Sequence, residues 1–358
     1  MAKVELVGVS HRYGLDDWAI RDVDIVWEDG VASALLGPSG SGKTTVLGII
    51  SGLIKPTEGK VLIDGVDVTD KSARERNVAQ VFQFPVMYET LNVFDNLAFP
   101  LRNQKMPEAE VKQRVEHTAE LMGLKDVMRR NANRLGAAEQ QRVSLARGIV
   151  RSDVSAVLLD EPLTVIDPQA KWQLRRELKA LHERTSVTMI YVTHDQHEAL
   201  TFADQVTIMD LGAIVQTGTP ADLHERPERP FVGYFIGSPG MNLLDAERSD
   251  GGVRAGPFEV PVPADVRDRL DEGGLQVGIR PEYVSTAVEP FEGATEMHVA
   301  DVDATGHSLI THLEVGDVRM KAVLPEDAPV RSGDTIWVGV SAEHANVYID
   351  GVRLEVAP

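Results

Sequence analysis

Cysteine is absent from the 358 residues, which removes disulfides, thiolate metal centres and cysteine nucleophiles at once. No run of about 18 apolar residues occurs, so no segment is expected to span a bilayer as a helix. The opening MAKVELVGVSHRYG lacks an apolar signal core, so secretion is not expected and a cytoplasmic address is. Basic residues are also in short supply. Lys and Arg number 36 against 55 Asp and Glu, a formal charge of −19. The last 122 residues hold 22 acidic and 9 basic residues and so carry most of that charge. A general nucleic-acid-binding surface needs positive patches and is therefore excluded. The acidity itself reads as solubility, or as the mark of a salty cytoplasm.

The chain is long enough for two domains with separate cores. Residues 3–25 alternate in short strand-like stretches. Residues 31–37 (VASALLG) form an apolar run typical of a buried strand. Residues 61–69 place Asp64-Gly65 between two apolar stretches and predict a hairpin, and residues 205–218 predict another. From about residue 107 to 150 the pattern is helical and charged. SAVLLDEP (155–162) and TMIYVTHD (188–195) are two further buried strands. Strands alternating with helices imply a largely parallel sheet covered by helices. Near Gly237 the texture changes. After GSPGMN, short β-type segments follow one another, split by Gly, Pro and Asp, which predicts a small all-β barrel or sandwich.

The chemistry is concentrated in two places. The stretch Gly37, Pro38, Ser39, Gly40, Ser41, Gly42, Lys43, Thr44, Thr45 contains glycine, four residues, then Gly-Lys-Thr. Glycines let backbone N–H groups approach phosphates, and the helix that follows points its positive end at them. Lys43 is placed to reach the β- and γ-phosphates of ATP, and the Thr44 hydroxyl to hold Mg2+. In AVLLDEP, Asp160 ends a buried strand, where it can reach the Mg2+ shell. Glu161 follows it and can polarise an attacking water.

These motifs, in this order, resemble the nucleotide-binding subunits of ATP-binding-cassette transporters, in the carbohydrate- and glycerol-importer branch, almost end to end. The resemblance implies an α/β phosphate-loop ATPase domain over residues 1–236, with a helical subdomain at about 86–150. It implies a small all-β C-terminal regulatory domain, OB-like with a TOBE module, over 237–358. GIRPEYV (278–284) and GSPGMN carry that second part of the match. Tyr13 falls where the family stacks an aromatic on adenine. Gln83 falls at the family's glutamine that touches Mg2+ and senses the membrane subunits. Asp167 matches the loop that crosses the dimer; it also suits a helix N-cap, since Pro168 and an amphipathic helix follow. His194 matches the switch histidine at the γ-phosphate. The region 84–101 corresponds to the docking surface for the permeases, with Val86, Met87, Tyr88 and Phe94 as apolar contacts unless they fill the chain's own core.

One motif departs from the family. Where the pattern has Leu-Ser-Gly-Gly-Gln, this chain has Leu135, Gly136, Ala137, Ala138 and Glu139. Gly136 offers no hydroxyl, the alanines add Cβ atoms and disfavour positive φ, and Glu139 sets a carboxylate near an anionic ligand. The expectation is a heterodimer with a second ATPase whose signature is intact, a homodimer being the alternative. Further expected partners are two transmembrane permease subunits and, in the wider complex, a periplasmic or lipid-anchored solute-binding protein. The expected site of action is the cytoplasmic face of the inner membrane, peripherally bound. A largely non-hydrolytic regulatory subunit and a soluble cassette ATPase are the other readings.

Overall fold

The computed structural model describes residues 2–151, 153–271 and 273–354. The chain divides into two compact units, Met1–Pro220 and Ala221–Pro358.

In the first unit, β1 (Val4–Arg12) and β2 (Trp18–Trp27) pair antiparallel, and β4 (Glu58–Ile63) and β5 (Val66–Asp67) complete a four-stranded sheet in the order β2-β1-β4-β5. The β4–β5 hairpin turns at Asp64-Gly65, both with positive φ (51° and 72°), as a two-residue turn demands. The second sheet holds β3 (Ala32–Leu36), β6 (Ala79–Val81), β7 (Val157–Asp160), β8 (Met189–Thr193), β9 (Gln205–Asp210) and β10 (Ala213–Gly218) in the order β10-β9-β3-β8-β7-β6. All its pairs are parallel except β9–β10. β3, β7 and β8 are buried at every residue, the signature of parallel strands covered on both faces.

The helices are α1 (Lys43–Ser51), the single turn α2 (Ala73–Arg76), α3 (Val93–Asn103), α4 (Glu108–Leu121), α5 (Ala137–Ile149), α6 (Pro168–Thr185) and α7 (Gln196–Phe202). The core joins Leu6, Trp27, Leu47, Ile50, Leu158 and Ile190 across both sheets. Each such side chain, taken fully from water, contributes about 1.5–3 kcal/mol. The helical run between β6 and β7 begins earlier than the sequence pattern indicates. α3 starts at Val93, where the Asn92 side chain accepts a hydrogen bond from Asp95 N at 2.7 Å and supplies the start signal; Pro100, inside the helix, masks the pattern.

The second unit opens on α8 (Pro220–Glu225) and α9 (Pro230–Phe235), then builds two antiparallel sheets. One contains β11 (Asn242–Arg248), β12 (Gly252–Ala255), β13 (Phe258–Pro261), β14 (Leu275–Ile279), β20 (Ala345–Ile349) and β21 (Val352–Arg353). The other contains β15 (Val284–Ala287), β16 (Thr295–Ala304), β17 (Ser308–Val315), β18 (Val318–Pro325) and β19 (Thr335–Val340). Their inner faces share a core that includes Phe258, Ile279, Met297 and Val338. Arg280, only 2% exposed, ties the two short helices to this unit. It donates to the carbonyls of His224 (2.6 Å) and Ile236 (2.5 Å), which is why both helices belong here rather than with the residues before Pro220.

Candidate nucleotide-binding site

Parallel pairing sets the C-terminal ends of β3, β7 and β8 side by side, the usual location of ligand sites in open α/β sheets. From the end of β3 the chain turns through the glycine-rich loop into α1. Gly40 and Gly42 hold φ of 82° and 98°, a region costly for side-chain-bearing residues. A Cβ on Gly37 would stand 2.2 Å from the Met209 carbonyl oxygen, and one on Gly42 would stand 2.6 Å from Ile20 Cγ2 and 2.7 Å from the Ala19 carbonyl oxygen. The loop is thus glycine-dependent by packing as well as by conformation.

Lys43 is 5% exposed, and its ammonium donates to the carbonyls of Gly37 (2.8 Å) and Pro38 (2.7 Å). Burial lowers its pKa, against the opposing pull of Glu161 and Asp160. Asp160, at the end of β7, has its pKa raised by burial first and by the adjacent Glu161 second; a hydrogen bond from the Thr44 side chain and the Lys43 charge offset part of this. Glu161 sits in the left-handed region at φ 44°, held by its N–H to the Val192 carbonyl at 2.9 Å. Backbone strain of this kind persists only where the surroundings impose it. Its carboxylate accepts from Thr164 Oγ1 at 3.2 Å and meets His194 Nδ1 at 3.1 Å. The residue after β7 and the residue after β8 are thereby brought into direct contact.

Lys43, Thr44, Thr45, Ser39, Glu161 and Tyr13 line one cleft of about 530 Å³. Tyr13 is 63% exposed, packs edge-on to His11 and shares a 3.2 Å hydrogen bond with Thr45 Oγ1. Two cleft residues escaped the motif reading. Trp18, at the start of β2, lies with the guanidinium carbons of Arg12 and Arg21 at 5.4 and 5.5 Å from its ring centre. Leu211, in the β9–β10 turn, is almost fully exposed. Neither belongs to a sequence motif; the excess of arginine around a single Trp was the available signal for Trp18. The loop's features fit a polyphosphate. The start of α1 has no side-chain cap and no acidic residue in its first turn, so its N–H groups remain for an anion. Among the described residues Lys43 has no carboxylate within ion-pair distance.

Other predicted residues lie elsewhere. Gln83, two residues beyond β6, is half-buried and does not line the cleft. Asp167 caps α6, accepting from Ala170 N at 3.0 Å. Leu135 is buried, Gly136 precedes α5, and Ala137, Ala138 and Glu139 form its first turn. The conformational objection to the alanines does not apply, because neither has positive φ and both are helical. The Glu139 carboxylate folds back to accept from the Gly136 N–H at 3.1 Å, with Arg130 at 3.6 Å. In the region 84–101, Phe84, Val86 and Tyr88 are exposed, Tyr88 resting on Phe99, whereas Met87 and Phe94 are half-buried.

Residues 20–164 match the ABC transporter family, 237–284 the MalK OB fold domain and 277–347 the TOBE domain. The trehalose/maltose import ATP-binding protein MalK of Thermococcus litoralis is 39% identical over 97% of this chain and 98% of its own length. The oligosaccharides import ATP-binding protein MsmX of Bacillus subtilis is 36% identical over 94% and 95%. The sn-glycerol-3-phosphate import ATP-binding protein UgpC of Cupriavidus necator is 35% identical over 99% and 100%. Among solved structures, the ATP-binding cassette MJ0796, described as a dimer in a post-hydrolysis state bound to ADP and Pi, superposes with a TM-score of 0.55 at 28% identity over 61% of this chain and 98% of its own. The cbiO1 subunit from Clostridium perfringens shares the fold, with a TM-score of 0.58 at 23% identity over 62% and 89%.

The fold and the cleft define an ATP-binding and ATP-hydrolysing phosphate-loop enzyme. The chain belongs to the ABC transporter family, among the import ATPases that carry MalK-type OB and TOBE domains.

Proposed function

We propose that this chain energises the uptake of a sugar, glycerol or a related polyol, acting peripherally at the cytoplasmic face of the membrane on two permease subunits, with an extracytoplasmic solute-binding protein in the wider complex. The observation that carries the reading is the Glu161–His194 contact beside the phosphate loop, in a chain whose relatives at 35–39% identity are named for sugar and glycerol-3-phosphate import. Tyr13 offers its exposed ring to the adenine. The loop N–H groups and Lys43 hold the phosphates. Thr44 and Asp160 would hold Mg2+, with Gln83 as a further contact, and the bound ion neutralises charge on the phosphates. Glu161 polarises the attacking water and His194 orients it beside the γ-phosphate. Among the described residues no helix is long and apolar enough to cross a membrane, which leaves translocation to partner chains. The exposed Phe84, Val86 and Tyr88 are the proposed docking contacts.

The partner ATPase in the proposed dimer is a different chain. Glu139 already satisfies the Gly136 N–H at the start of α5 and would set a negative charge where a second chain's ATP should be received. The phosphate loop, Glu161 and His194 of this chain would then work with an intact signature supplied by the partner, and Asp167 would lie along the dimer contact. Mg-ATP hydrolysis by the chain alone, and by the chain co-expressed with its permeases and a neighbouring ATPase, tests both levels. Activity that appears only with a second ATPase supports the asymmetric dimer. Full activity as a homodimer refutes it while leaving the import reading intact. Unimpaired transport with Glu161→Gln would favour the regulatory-subunit reading instead.

A further inference from the structure

The C-terminal unit contains a cavity of about 740 Å³ whose lining does not match the acidity around it. Residues 221–358 carry 25 acidic and 11 basic side chains, yet Arg226, Arg280 and Arg353 all line this cavity, against two carboxylates, Glu225 and Glu343. Arg280 is consumed by backbone carbonyls of the same unit. Arg353 is not. Its Nε is buried without a hydrogen-bond partner, and among the described residues its guanidinium makes no ion pair. A buried donor left unmade costs about 1–3 kcal/mol, and a guanidinium fork is the side chain best matched to phosphate oxygens. Asn346 and His344 also line the cavity and bring further polar nitrogens to it.

The rest of the lining is not built for an ion alone. Tyr283 and His344 lie with ring centres 4.1 Å apart and planes inclined by 31°. Val260, Val262 and Leu354 supply an apolar wall. The cavity combines this apolar wall with several polar groups, and its volume falls in the range usual for a small-molecule site. The charge balance also limits the ligand. Arg353 is the lining guanidinium that makes no ion pair among the described residues, so one anionic group matches it, whereas a triphosphate would meet Glu225 and Glu343.

We propose that this cavity binds a ring-bearing phosphate monoester of about hexose-phosphate size, with the phosphate on Arg353 and the ring against Tyr283 and His344. The site lies wholly within the C-terminal unit, and it stands whether or not the import reading above is correct.

The test is calorimetric titration of the full chain, saturated with ADP so that the phosphate loop is filled. Glucose 6-phosphate serves as probe, beside glucose and inorganic phosphate. The expected result is binding of glucose 6-phosphate, none of glucose, and inorganic phosphate at least tenfold weaker than the sugar phosphate. Arg353→Gln should weaken the sugar phosphate at least tenfold and leave the affinity for ADP unchanged. His344→Ala should weaken glucose 6-phosphate but not inorganic phosphate, and it carries the test should Arg353→Gln fail to fold. Three results would overturn the proposal: no heat with the sugar phosphate, equal affinity for inorganic phosphate, or undiminished sugar-phosphate binding in a folded Arg353→Gln.

Discussion

Two glycines of the phosphate loop, two residues apart, separate conformational strain from steric collision. Gly40 and Gly42 both hold positive φ, 82° and 98°, so alanine at either position pays the left-handed cost of about 1–2 kcal/mol. Around Gly40 a new Cβ meets nothing within 4 Å; at Gly42 it meets Ile20 Cγ2 at 2.6 Å and the Ala19 carbonyl oxygen at 2.7 Å. The second neighbour is backbone of β2 and cannot swing away. Overpacking of this kind adds about 1–3 kcal/mol. Gly40→Ala should therefore lose about 1–2 kcal/mol, and Gly42→Ala about 2–5 kcal/mol. For a domain of this size each kcal/mol is worth about 2–4 °C in the unfolding midpoint. Thermal unfolding of the nucleotide-free chain reads the difference, and ATP titration reads its consequence. Relief of the clash must move the start of α1, whose N–H groups face the phosphates, so ATP affinity should fall more than tenfold in Gly42→Ala and less in Gly40→Ala. Equal midpoints for the two variants would refute the packing argument. Equal affinities would refute the link from β2 to the loop.

Glu161→Gln keeps the side-chain shape, so ATP affinity should stay within a few fold while turnover falls on the order of 10²–10⁴-fold, read as phosphate release against nucleotide binding. Arg280→Met leaves the His224 and Ile236 carbonyls without their donor and should cost about 1–3 kcal/mol for each carbonyl left unpaired, seen as a lower unfolding midpoint. Because burial lowers the Lys43 pKa, its charge is lost on the acid side of the ordinary 10.5. The unfolded chain then holds the extra proton, so this group's contribution to stability rises with pH through that window, while ATP affinity falls; Lys43→Met should flatten the affinity profile. Trp18 lines the cleft, so ATP should change the intrinsic fluorescence and Trp18→Phe should remove most of that change.

The sequence by itself determined what chemistry is present. The glycine-rich loop, the Asp160-Glu161 pair and His194 are contiguous motifs whose spacing from buried strands was readable, because a strand covered on both faces is a continuous apolar run. The hairpins at Asp64-Gly65 and within 205–218 were legible for the same local reason, as was the run of short strands after Gly237. α3 was obscured because Pro100 interrupts its pattern. The structure decided what no local window holds. Parallel pairing of β3, β7 and β8 sets Glu161 against His194, 33 residues apart in sequence. The turn of β2 under the loop makes Gly42 indispensable and adds Trp18 to the cleft. The fold-back of Glu139 onto Gly136 replaced an expected backbone strain with a satisfied helix start. In the acidic C-terminal unit, composition is a sum over the whole surface, and only tertiary packing gathers three arginines around one cavity and leaves the buried Arg353 Nε without a hydrogen-bond partner among the described residues. Local sequence fixes which groups exist and which strands are buried; the distances between groups far apart in the chain are set by how the sheets pair and pack.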